Sequence, residues 1–215
     1  MSRQAHTSLV RRFVPALVAV AAIMSLAAPA QAHHAMDGQL PSSLFGGLLS
    51  GLGHPVIGLD HLAFVIGVGL AAANLPHRAL MPLAFVVATV LGVVVHLTAA
   101  DLPLVEVIIS LSVLIVGVLL VSGRALASAA WVALFAIAGL FHGYAYGESI
   151  VGAEPTPLAA YFVGFAAIQY AIAMGAMSVL RGVSAGGATR EPLRVAGGVV
   201  AGIGLVFMHQ AVWPF

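Results

Sequence analysis

Six stretches of this chain, near residues 56–75, 79–99, 103–123, 125–147, 157–180 and 192–213, are apolar almost throughout and separated only by short polar or Pro/Gly punctuation. Each holds about 20 residues, enough at ~1.5 Å per residue to cross ~30 Å of hydrocarbon as a helix. Inside a bilayer every backbone amide needs an internal partner, and a helix supplies it. With 61% hydrophobic and 7% charged residues, the chain falls far below the roughly one-quarter charge that a soluble surface carries. The expected fold class is an all-α integral membrane protein with six transmembrane helices in a single domain, residues 33–215, set in the lipid bilayer.

The remaining residues, 1–32, read as a cleavable N-terminal signal peptide: Arg3, Arg11 and Arg12, then an apolar run over 13–28, then Ala30-Gln31-Ala32. The competing reading is an uncleaved helix, for which the run is short. If the signal exports the mature N-terminus, the loops alternate sides, and their charges test the count of six. Arg78, Arg124, Arg181, Arg190 and Arg194 all fall in inside connections, whereas Asp101, Glu148 and Glu154 fall outside. That asymmetry follows the positive-inside rule. Both mature termini are then periplasmic, and the location is the inner membrane of a bacterium.

Composition also removes several function classes. Eight basic residues, none of them Lys, against seven acidic ones provide no basic stripe, so no nucleic acid partner is expected. The absence of Cys removes disulfides, thiolate metal sites and cysteine nucleophiles. No P-loop is present, so coupling to ATP would need another subunit.

Against this apolar background the intramembrane polar residues stand out, because charge at membrane depth needs a partner or a function. His54, Asp60 and His61 lie near the outer end of the first stretch, His96 near that of the second, and Glu106 at the start of the third. His142 and Glu148 close the fourth, while His209 closes the sixth beside Gln210 and Trp213 and reads as interfacial. Seven residues on one straight helix would hold the His54 and His61 imidazoles ~10 Å apart, too far to share an ion. Convergence therefore requires a break at Pro55 or Gly58. Residues 36–53 read as a short interfacial or re-entrant element leading to His54. Gly139, Gly143 and Gly147 form a small-residue face for close helix packing beside His142, and Gly198 and Gly202 offer another. These faces leave a homo-oligomer open. Met174 and Met177, with Gln169 and Tyr170, read as packing in preference to an inner path.

His54-Pro55-x-x-Gly58-x-Asp60-His61, together with Phe141-His142-Gly143-Tyr144-Ala145-Tyr146-Gly147-Glu148, resembles the HupE/UreJ family over essentially the whole mature chain. The resemblance implies a small bacterial membrane protein linked to hydrogenase or urease maturation and acting as a nickel or cobalt permease. The family pattern often reads Phe-His-Gly-x-Ala-His-Gly-x-Glu. Here Tyr146 stands where a second His is common, and the acid is Glu148, one place early, with Ser149 at the usual position.

The donor chemistry agrees independently, since imidazoles and carboxylates without thiolate suit Ni²⁺, Co²⁺ or Zn²⁺ and disfavour Cu(I). The expected metal-handling residues are His54, Asp60, His61, His142, His96, Glu106 and Glu148. Cleavage after Ala32 would add a chelating arm of His33, its α-amine and His34. The expected function is a secondary permease carrying Ni²⁺ or Co²⁺ inward, with Zn²⁺ left open, no catalytic cofactor and no enzyme activity. Two other classes remain: an intramembrane zinc-dependent hydrolase, disfavoured by the lack of an HExxH pair, and a non-transporting metal-binding accessory or sensor. A link to cobalamin pathways in place of hydrogenase or urease would favour cobalt.

Overall fold

The computed structural model describes residues 40–124, 126–184 and 190–213, so the signal segment and the His33/His34 arm lie outside the described residues. Among the described residues seven helices follow one another: α1 Leu44–Ile57, α2 Leu59–Ala72, α3 Met81–Leu97, α4 Val105–Ser122, α5 Ser128–Gly147, α6 Pro155–Ser184 and α7 Glu191–Val212. Among the described residues there is no strand. α4 to α7 are each long and apolar enough to cross a membrane. α1 and α2 together pass the same test as a bent pair, whereas α3, at 17 residues, is a shorter apolar helix. Length and apolarity thus support four to five spans directly.

The first stretch departs from its expected bounds. The helix starts at Leu44, where the Ser43 hydroxyl accepts from the Gly46 amide at 3.0 Å, runs through Pro55, and stops at Gly58 with a turn of 81° into α2. Pro55 is tolerated because it falls in the last turn; its missing N–H leaves one carbonyl without its helical donor and weakens the helix just before the break. α1 lies along the N-terminal half of α6. A Cβ on Gly47 would strike the Pro157 backbone, and one on Gly51 the Tyr161 carbonyl. The helix therefore continues past Gly53, the expected end of the interfacial or re-entrant element, through His54 to Ile57, and its sharp bend into α2 is that of a broken span or a re-entrant loop.

α2 occupies the centre, touching α1, α3, α4, α6 and α7. Its Phe64, Val65 and Val68 join Phe85 of α3, Val113 and Val116 of α4 and Phe135 of α5 in a core closed to solvent. Met177 belongs to that core and Met174 packs against it, which is a packing role for both. Leu and Val side chains crowd the outer surface, among them Leu83, Val87, Leu91, Val118, Val163 and Val179, as a lipid-facing shell requires.

Two pairings are set by glycine. α3 and α5 run parallel: Gly139 meets Phe85 and Ala88, Gly143 meets the Thr89 backbone, and Gly147 meets His96. α4 and α7 run antiparallel through Gly117 on Ala201, with Gly197 and Gly204 against Leu120 and Leu114. α7 meets α4 closely at Gly197 and Gly204, glycines that the expected Gly198/Gly202 spacing did not include; four-residue spacing alone does not reveal which row of a helix faces inward.

The helix order collects Arg78, Arg124, Arg181 and Arg190 at one end of the bundle and Asp101, Glu148 and Glu154 at the other. Gly143→Leu should wedge α5 from α3 and destabilise the fold by about 1–3 kcal/mol, as overpacked cores do. Gly175→Ala, where a Cβ meets nothing within 4 Å, should be neutral or stabilise by up to ~1 kcal/mol. Melting in mild detergent reads both, and equal effects would refute this packing.

Candidate metal site

The break at Gly58 sets the position of every side chain in the site. By turning the chain 81° between His54 and His61, it brings their ring centroids to 6.2 Å, well inside the ~10 Å of a straight helix. Gly58 also makes room, because a Cβ there would lie 2.6 Å from Cδ2 of His61. Asp60 caps the new helix from within: its Oδ1 accepts from the His61 amide at 2.8 Å. The helix N-terminus favours a carboxylate there.

The imidazoles are held by a chain of hydrogen bonds from which their protonation can be read. Ser112 Oγ donates to the Ile109 carbonyl at 2.6 Å, so its oxygen must accept at 3.0 Å from Nε2–H of His142. Neutral His142 then carries a lone pair on Nδ1, which accepts at 2.7 Å from Nδ1–H of His61. The same logic fixes His54. The Ser149 and Tyr161 hydroxyls donate to the Tyr146 carbonyl at 3.1 and 2.8 Å, and Nδ1–H of His54 donates to Ser149 Oγ at 3.0 Å and, more distantly, to the Tyr161 oxygen at 3.4 Å. Nδ1 of His54 and Nδ1 of His61 are each held by a neighbour in this pattern, and a partner on one ring nitrogen fixes the orientation of the whole imidazole.

Tyr146 is wedged between the two rings, at 5.0 Å from His54 and 4.6 Å from His61. Its hydroxyl is buried without a hydrogen-bond partner, within electrostatic reach of Asp60. Below, Phe64 and Phe85 pack at 4.6 and 5.7 Å on His142. His142 is fully buried, and Asp60, His54 and His61 are 5%, 7% and 8% exposed.

The other expected residues lie outside this cluster. Glu106, in the first turn of α4, and Glu148, just beyond α5, are exposed; Glu106 stands within electrostatic reach of both Asp60 and Glu148. His96 is half-buried, its ring 4.4 Å from Tyr144 and its Nδ1 unpartnered. Among the described residues no three His, Asp or Glu side chains close on a single point. Ser112, Ser149 and Tyr161 were not among the residues expected from sequence; the register signal at Ser149, in place of the usual acid, was the available clue.

Fold and site together define a multi-helix membrane protein with a buried cluster of histidine, aspartate and hydroxyl groups toward the arginine-poor end of the bundle. The chain matches the HupE / UreJ protein family over residues 21–207 and belongs to that family. It is 33% identical to Protein HupE of Rhizobium leguminosarum bv. viciae over 158 residues, covering 72% of this chain and 81% of that protein. No solved structure matches it.

The His61–His142 contact should appear as non-additivity. In reversible unfolding of His61→Ala, His142→Ala and the double variant, a coupling of about 0.5–3 kcal/mol is expected. Strict additivity would mean that the rings do not interact.

Proposed function

We propose that this protein is a secondary permease that carries a divalent transition-metal ion, Ni²⁺ or Co²⁺, inward from the periplasm through the His54/Asp60/His61 cluster. The observation that carries the reading is the orientation of the two imidazoles: their Nδ1 atoms are engaged by Ser149 and His142, which aims both rings within a cluster that also holds the buried Asp60 carboxylate. Membership of the HupE/UreJ family, associated with nickel and cobalt uptake for hydrogenase and urease, supports the same cargo. Zn²⁺ has compatible ligand preferences.

In this reading Glu106, Glu148 and His96 form an outer vestibule that attracts the hydrated cation toward Asp60, and His33 and His34 collect it in solution. Asp60 and the two Nε2 atoms replace part of its water shell. His142 acts on the ion through His61, by fixing that ring's tautomer and aim. Three donors that do not yet close on one point suit a permease, which must release what it binds. An inside-negative potential assists entry by about 2.3 kcal/mol per charge per 100 mV.

The topology that serves this route has a signal peptide, six crossings and periplasmic mature termini in the bacterial inner membrane. The α1/α2 pair counts as one crossing, and α3, with 17 residues, as another at the short end of the usual ~17–25. Because the chain lacks Cys, single cysteines can test it directly. A membrane-impermeant maleimide applied from the periplasm should label cysteines replacing Asp101 or Glu154 and spare those replacing Arg78 or Arg124; the reverse pattern would invert the proposed direction.

Uptake into proteoliposomes under an imposed potential tests the cargo. Asp60→Asn should lower the rate at least tenfold, His142→Ala should weaken apparent affinity about 10–100-fold as loss of an orienting partner does, and Glu148→Gln should cost less than about threefold. Wild-type-like uptake by Asp60→Asn would remove the proposal.

A further inference from the structure

Gln169 of α6 is fully buried, and its amide orientation is fixed twice over. Nε2 donates to the Phe165 carbonyl at 3.0 Å and to Thr89 Oγ1 at 3.3 Å. Thr89 spends its own hydroxyl proton on the Val86 carbonyl at 2.7 Å, so its oxygen can only accept. Rotating the amide by 180° would set two carbonyl oxygens against each other at Phe165. The NH₂ group is therefore committed, and the carbonyl Oε1 is left buried with no partner. Such an oxygen is unfavourable in an apolar interior. Methionine or leucine would fill the position without that penalty, as Met177 and Leu180 do further along the same buried face of α6.

The position of this oxygen gives it a role. Tyr161, Phe165 and Gln169 form one row on α6, and Tyr161 touches His54 and Ser149 at the outer end of that row. Eight residues later, Gln169 lies ~12 Å further inward. Thr89, its partner, packs on the backbone of Gly143, the residue after His142. Gln169 thus stands near the level of His142, bonded to Thr89 one turn from Phe85 on the same face of α3, next to the layer where Phe64 and Phe85 close on His142.

The geometry points to the Gln169 carbonyl oxygen as an inner donor that receives the metal ion as it leaves the His54/Asp60/His61 cluster. This rests on the permease reading. A neutral amide oxygen holds a borderline divalent ion more weakly than imidazole or carboxylate, and a weaker second station draws the ion inward without trapping it. The same role accounts for an acceptor kept unpaired while both donors of its amide are tied down.

Proteoliposome uptake of Ni²⁺ and Co²⁺, with equilibrium binding of the same ions to detergent-solubilised protein, tests it on Gln169→Leu and Gln169→Glu. The protonated carboxyl of the second variant can donate to Phe165 and still present a carbonyl oxygen. Gln169→Leu should lower the maximal rate at least tenfold while half-saturation and binding affinity stay within about threefold; Gln169→Glu should recover most of the rate. Should Gln169→Leu fail to insert, Gln169→Asn, which withdraws the oxygen by one methylene, should show the same loss of rate. Gln169→Leu transporting at the wild-type rate would overturn the inference, as would Gln169→Glu being equally slow while melting like wild type, because Gln169 would then only tie α6 to α3. If the wild-type protein moves neither ion, the permease reading falls and this inference with it; if it moves them and the variants match it, only the inference falls.

Discussion

The helix break at Gly58 is the feature on which the rest of the molecule depends. A bilayer-spanning chain gains nothing from an interrupted backbone ladder, since freed amides and carbonyls lack water to bond. Here the interruption is covered by protein: α1 is sheltered along α6, the Asp60 carboxylate takes up the His61 amide at the new N-terminus, and the freed space admits the His61 ring. The break converts a linear motif into a buried cluster. Without it the two imidazoles would point the same way from different depths and serve no common ligand.

Much of this was legible in the sequence, for a physical reason in each case. Helices α3 to α7 fall on apolar stretches because hydrocarbon imposes both length and composition. The need for a break between His54 and His61 followed from rise per residue alone. Its consequences did not: whether Pro55 or Gly58 would end the helix depends on tertiary cover, and α1 starts at Leu44 because Gly47 and Gly51 let it approach α6. The contacts of Gly197 and Gly204 with α4 could not be picked out beforehand, since Gly197, Gly198, Gly202 and Gly204 offer several overlapping small-residue spacings and only the partner helix selects among them. Ser112 and Tyr161 carried no sequence signal, because a hydroxyl that orients a histidine looks like any polar residue in a span until its partner is known.

The hydroxyl groups determine what the histidines can do. An isolated buried imidazole can adopt either tautomer, and its metal-binding nitrogen is then undefined. Ser112, Ser149 and Tyr161 each send a proton to a backbone carbonyl, which leaves only acceptance available toward a ring. One serine thereby sets His142, His142 sets His61, and Ser149 sets His54. At position 149 it is a serine that holds the His54 ring nitrogen, while the adjacent Glu148 is exposed, so the ring is oriented there without a second buried carboxylate.

Burial of so many polar groups has a further physical consequence. A fully paired network would be a stable end point, and an ion entering it would have to displace hydrogen bonds already made. The network is paired at Nδ1 of His54 and His61, yet it leaves the Tyr146 hydroxyl and the Gln169 carbonyl oxygen without partners. Each unpaired buried group of this kind costs about 1–3 kcal/mol, and a cation with its residual waters can satisfy both kinds of oxygen. In the proposed permease that cost is recovered when the ion arrives, which offsets part of the cost of dehydrating it.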